Sequence, residues 1–315
     1  MTKIKAKERL TDTAYFKGIV QVALLCFVIF FGFNLSDKIK DGVISGMKFA
    51  VFTVIPTGYP FMILGDLYKS YGRPEKIPLL SFTVTRLFKI SENGLTALIC
   101  GTLAGFPLGA KMASELYTGG CISKKEAEKI ASVSNLPSIP FVISAVGSAM
   151  LGDIKAGVFL LIIVYISALF TARIYSRQKD CTRTQTEGEH TLFSFTDSVK
   201  NSAISSIHII AFISIFFAIS KAVSMFIGSS VALAVVSSFL EVATATSFTA
   251  SLSLPYSAKL MICSFALSFG GLSVMMQSSI FLKKASLSMS AYFRIKLTQG
   301  IVSILLSALF VPFLI

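Results

Sequence analysis

Gly101-Thr102-Leu103-Ala104-Gly105-Phe106-Pro107-Leu108-Gly109-Ala110-Lys111 places three glycines, a proline and a lysine in a run that is otherwise apolar. A glycine inside a helix costs about 1 kcal/mol and a proline about 3 kcal/mol. Non-helical backbone at membrane depth is tolerated only where it is buried in protein or lines a wet cavity. Gly105, Phe106, Pro107 and Gly109 therefore read in two ways. One is a kinked helix with small residues for close packing. The other is a break whose freed amides and carbonyls meet a solute or ion.

The rest of the chain places this stretch in a membrane. Of 315 residues, 54% are hydrophobic and only 14% are charged, against about 25% charged in soluble domains. Mean hydropathy is +0.75. Residues 18–36, 260–282 and 300–315 carry no charge, and 201–258 carry only Lys221 and Glu241. Such runs are the length of membrane spans. A soluble enzyme, a disordered chain and a secreted disulfide scaffold are excluded, and a polytopic membrane protein in contact with the lipid bilayer remains.

The net charge of +13 comes from 29 Lys and Arg that sit mostly in loops and tails. That is the distribution membrane topology requires beside an anionic leaflet, and no nucleic-acid-binding pattern accompanies it. The five cysteines form no Cys-x-x-Cys pair, and His190 and His208 are far apart, so neither a metal nor another cofactor is expected. Walker A, HExxH and Gly-x-Ser-x-Gly patterns are missing, so the chain does not read as an enzyme. The basic start Met1-Thr2-Lys3-Ile4-Lys5-Ala6-Lys7 precedes a long apolar run without a small-x-small cleavage site. It reads as an uncleaved first helix with a cytoplasmic N-terminus.

Apolar runs predict spans at about 17–35, 43–68, 94–117, 154–175, 201–223, 229–250, 257–282 and 298–315. The piece 78–90 is short and charged, and 131–151 is broken by Pro137 and Pro140, so both read as interfacial or re-entrant. Residues 122–130 predict an amphipathic surface helix with Ser123 as N-cap and Glu126 as its capping-box partner. A basic amphipathic segment is expected at 283–296. The fold class is thus all-α, with about 8–9 transmembrane helices, some broken or re-entrant. The organisation is a tail and first span (1–40), a first repeat (41–175), a polar linker (176–200) and a second repeat (201–315). The repeat rests on Gly105-Phe106-Pro107-Leu108-Gly109 in one half and Ser268-Phe269-Gly270-Gly271-Leu272-Ser273 in the other, each followed by a lysine-bearing segment. Paired broken helices are a transporter signature.

Few polar residues remain inside the spans. Lys111 and Glu115, spaced i,i+4, can pair on one helix face or snorkel to the interface. Glu241 stands isolated in a long apolar run, where a carboxylate costs several kcal/mol unless protonated, paired or hydrated. Thr244 follows it, and both proton coupling and direct bonding to a solute are open to it. Asn135, before Pro137 and Pro140, can satisfy freed backbone or face a cavity. Gln277 lies one turn beyond Ser273, and its amide needs a partner in lipid. Asp66, near a span end, reads as a helix-terminal or loop contact.

These motifs resemble the YlbJ family of sporulation integral membrane proteins. The resemblance rests on Gly105-Phe106-Pro107-Leu108-Gly109-Ala110-Lys111, Glu115-Leu116-Tyr117, the helix from Ile122 to Glu128 and Ser134-Asn135-Leu136-Pro137-Ser138-Ile139-Pro140-Phe141. Phe269-Gly270-Gly271-Leu272-Ser273-Val274 with Gln277 continues it. It spans about residues 40–310. It implies a multi-pass protein of a bacterial cell membrane, a role in spore formation and a nucleoside-recognition Gate domain with re-entrant elements. Where the family pattern follows Glu-x-x-Thr with glycine, this chain has Ala245 after Thr244.

The expected function is a secondary transporter or permease for a small polar solute or ion, a nucleoside-like ligand among them. Its site is expected at the broken helices, near the bilayer midplane. A homo-oligomer is compatible with this. The other reading is a non-transporting envelope factor that organises spore cortex or coat assembly.

Overall fold

Proline at 56 and small side chains at 42 and 46 set the first described element. Helix α1 (Ser36–Phe49) runs through a π-helical turn, Ala50–Val54, into α2 (Ile55–Ser70). The two parts are bent by 57°, as expected where proline and a π-turn interrupt the ladder. A Cβ on Gly42 would lie 2.5 Å from the Ala218 Cα, and one on Gly46 would lie 2.7 Å from the Ser214 Cα. Glycine thus lets α1 lie backbone-to-backbone along α6 (Phe195–Val223), the small-xxx-small mode of packing in lipid.

The computed structural model describes residues 36–70, 90–91, 94–95, 97–99, 101, 105–177 and 194–313. The first span expected at 17–35, the basic N-terminus, nearly all of segment 78–90 and most of the 176–200 linker lie outside them. Among the described residues, all regular structure is helical. After α2 come α3 (Leu108–Thr118) and α4 (Lys124–Val133). A π-helical segment, Phe141–Met150, then leads to α5 (Ile154–Ile174). Following α6 are α7 (Ser230–Leu240), α8 (Val242–Ser251), α9 (Tyr256–Phe269), α10 (Gly271–Lys284) and α11 (Met289–Phe310).

Four described helices are long and apolar enough to cross a membrane: Ile154–Ile174, Phe195–Val223, Tyr256–Lys284 and Met289–Phe313. The bent pair at the start makes a fifth if it counts as one span. Their outward faces carry large apolar side chains: Ile162 and Phe170 on α5, Ile207 and Ile215 on α6, Leu305 and Leu309 on α11. A continuous apolar exterior of this kind is unsuited to water and natural in lipid. The chain is a multi-pass membrane protein. Serines also join neighbouring helices: Ser303 Oγ on α11 donates to Ser264 O on α9 at 3.0 Å, and Ser264 Oγ returns to Ser303 O at 3.4 Å.

The structure redraws several expected boundaries. Span 94–117 does not continue as one helix, because the backbone leaves helical geometry at 105–107 before α3 begins. Span 229–250 divides at Glu241 into two short helices. Span 257–282 is interrupted at Gly270. The last span begins at Met289 instead of 298, because Ser288 Oγ caps the Ala291 amide and starts the helix about two and a half turns early. The helix expected on the surface at 122–130 is half-buried. Ser123 caps the Glu126 amide as expected, but the Glu126 carboxylate reaches Ser91 N at 2.5 Å, and Glu128 accepts from Ser288 N at 2.9 Å.

The glycine contact gives a direct test. Gly42→Val should lower stability in detergent by about 1–3 kcal/mol, because a side chain cannot enter without separating α1 from α6. A thermal melt of the purified variant that matched the parent would show that this contact is not tight.

Candidate functional site

Each interruption in the helices is answered by another. Gly105 has φ +84°, and a Cβ there would meet Ser138 N at 2.9 Å. The first break (105–107, with a cis Phe106–Pro107 peptide) therefore seats directly on a second, the unwound segment 134–138. Gly270 and Gly271 have φ +83° and +73°, and a Cβ on Gly271 would meet Leu240 O at 2.8 Å. The break between α9 and α10 thus rests on the break between α7 and α8. Only glycine adopts these positive φ values freely and leaves room for the facing backbone. The Phe106 ring lies against Gly270 and joins the two pairs of breaks.

A cavity open to the outside lies against three of these breaks, 105–107, 134–138 and the one at Glu241, and is lined as well by Val274 and Gln277 of α10. Gly105, Phe106, Glu241 and Gln277 of the expected site residues line it, with Pro137 and Ser138 from the unwound segment. The remaining wall is mostly apolar, including Phe49, Phe141 and Ile213. A largely apolar cavity with a few convergent polar groups is the usual form of a small-molecule site.

Glu241 is 2% exposed and has extended backbone, φ −153° and ψ 128°. Its Oε2 accepts from Thr244 N at 2.6 Å and from Thr244 Oγ1 at 2.9 Å. The carboxylate thus caps α8, where the amide ends and the helix dipole favour negative charge. Gln277 donates to Ser273 Oγ at 3.3 Å, which fixes one face of its amide while the residue lines the cavity.

Asn135 lies just behind the cavity wall. Its Nδ2 donates to Ser278 Oγ at 2.9 Å and to Tyr292 Oη at 2.7 Å, while its own carbonyl accepts from Lys296 Nζ at 3.0 Å. Lys296 also donates to Gln299 Oε1 at 2.9 Å and lies 5.7 Å from the centre of the Phe106 ring. Lys296 is fully buried, and no described carboxylate pairs with it. Asn135 Oδ1 and Gln299 Nε2 are buried without a partner.

Sequence reading missed Lys296, Gln299, Tyr292 and Ser278. Lys296 was expected in a basic amphipathic segment; the early start of α11 draws it inside instead. The Ser288 cap was the available signal, since it sets the helix register that points Lys296 and Gln299 the same way.

Other expected residues stand apart from the cavity. Pro107 is the N-cap of α3, and Gly109 gives close approach to Ser134. Lys111 does not pair with Glu115. Its Nζ meets Asp66 Oδ1 at 2.9 Å and Oδ2 at 3.1 Å, with both residues buried, while Glu115 is exposed. The bend between α1 and α2 lets Asp66 reach α3, and a buried lysine takes a carboxylate it can desolvate with. Among the described residues no three His, Cys, Asp or Glu side chains gather as a metal site.

A stretch of 131 residues is 30% identical to the sporulation integral membrane protein YlbJ of Bacillus subtilis (strain 168). Over that stretch the chain is YlbJ-like. The alignment spans 40% of this chain and 32% of that protein, so it covers about a third of the relative's length. No family model and no solved structure matches the chain.

The buried Lys111–Asp66 pair is testable by itself. Lys111→Met should destabilise the fold by about 3–5 kcal/mol, because it removes the ammonium that a buried carboxylate holds through both of its oxygens. Lys111→Met combined with Asp66→Leu should recover most of that loss. A double variant no more stable in a thermal melt than the single one would contradict the pairing.

Proposed function

We propose that this protein is a secondary transporter or permease for a small polar solute or ion, and that its site is the cavity lined by the breaks at 105–107, 134–138 and Glu241 and by α10. The observation that carries the reading is the convergence on one cavity of interruptions from both halves, with the Glu241 carboxylate and the Gln277 amide in its wall. Broken helices that line a cavity inside an apolar bundle are the transporter way of exposing backbone and polar groups to a solute. Gly105, Phe106, Glu241 and Gln277 contact the solute in this reading. Thr244, Ser273, Gly270 and Gly271 shape the wall, and Asn135 supports it from behind.

The two sets of breaks are the interruptions of a two-fold repeat, 41–175 and 201–315, in a bundle of 8–9 spans counting those outside the described residues. The name of the Bacillus subtilis relative brings sporulation to the proposal. The Gate domain that the resemblance to the YlbJ family implies adds nucleosides as a solute class to try. An N-terminus on the cytoplasmic side and a location in the bacterial cell membrane complete the reading.

The first measurement is a thermal-shift panel of nucleosides, amino acids, organic acids and divalent cations on purified protein. A solute at about 100 times its Kd should stabilise the native state by about 2.7 kcal/mol. Flux of that solute into liposomes should be saturable. Glu241→Ala should reduce it at least about tenfold, the equivalent of one charge-assisted hydrogen bond. Unchanged flux in folded Glu241→Ala would remove this carboxylate from the mechanism. Absence of flux for every stabilising solute would favour the envelope-factor reading.

A further inference from the structure

Lys296 has three N–H donors and no carboxylate among the described residues. A lysine in a membrane span normally pairs, faces water or snorkels to the interface. This one is fully buried and instead spends its donors on Asn135 O and Gln299 Oε1, with its charge beside the Phe106 ring. Asn135 belongs to the unwound segment 134–138, and Phe106 to the break at 105–107. Phe106 sits in the cavity wall through its own ring, and Asn135 stands behind the wall in the segment whose Pro137 and Ser138 line it.

We propose that Lys296 is a positioning residue that sets the shape of the cavity from outside it. The ammonium ties α11 to the carbonyl of an unwound segment that has no helical neighbour to accept from, and it holds the aromatic wall by a cation–π contact. The Asn135 side chain braces the same segment against α10 and α11 through Ser278 and Tyr292. Phe106 is then held in the cavity wall while Lys296 engages it. Ser138, in the same unwound segment as Asn135 and in the same wall, becomes more accessible when those contacts are released. The proposal gives a functional role to a charge that packing alone does not explain, since Leu or Met would fill the same volume without the cost of burying an ammonium. It deepens the transport reading but is tested without transport.

The test uses the full chain with its native cysteines replaced and Ser138→Cys as a reporter, reacted with a small methanethiosulfonate. Lys296→Met keeps the length and apolar stem and removes the charge and donors. Its labelling should be roughly tenfold faster than the parent's, the population shift that loss of a desolvated cation–π contact brings. Lys296→Arg keeps the charge and the donors, and should label near the parent rate. A monodisperse, folded Lys296→Met that labels at the parent rate would overturn the proposal. Should Lys296→Met not fold, Phe106→Leu leaves the Lys296–Asn135 bond intact and removes only the ring. Faster labelling at position 138 in that variant supports the aromatic wall, and an unchanged rate overturns it. Because labelling needs no solute, loss of liposome flux in the parent would sink the transport reading and leave this result standing.

Discussion

Non-helical backbone inside an apolar layer must be kept out of lipid, and that requirement organises this molecule. Gly105 abuts Ser138, Gly271 abuts Leu240, and the Phe106 ring spans to Gly270. Each interruption is tolerable because a second one lies against it, out of lipid. The surrounding spans are ordinary by comparison: α1 on α6 through glycine, α9 on α11 through reciprocal serine bonds. They hold the breaks together and present an apolar exterior.

The same constraint explains how three buried charges are accommodated in three ways. Lys111 takes a carboxylate partner from the bent first pair. Glu241 takes the amide end of the helix it begins, with Thr244 doubling the contact through its hydroxyl. Lys296 takes only carbonyl oxygens and an aromatic face. The first neutralises its charge outright and suits a structural role. The second leaves the carboxylate in a cavity wall. The third leaves the charge without a counter-ion among the described residues and adjacent to that wall.

Much of this was legible in the chain. Glycine and proline in apolar runs marked the breaks at 105–107, 134–138 and 270–271, because those residues are poor helix formers whatever surrounds them. The solitary carboxylate at 241 marked itself by its cost. The break at Glu241 was not read, because nothing there disfavours a helix by propensity; an acidic residue followed three positions on by threonine was the one sign of a cap. Glu115 was given to Lys111 because i,i+4 spacing is all that a linear pattern offers. Asp66, 45 residues away, could be found only through the bend.

By itself, the sequence determined the solvent and the weak points: lipid, from the missing charge, and helix interruptions, from residue types that weaken a helix locally. The tertiary structure alone decided which interruptions face one another, which lysine finds a carboxylate, and which is left facing an aromatic ring. Those pairings join residues about 30 to 190 positions apart. They depend on helix register and bend angle, which packing fixes and composition does not.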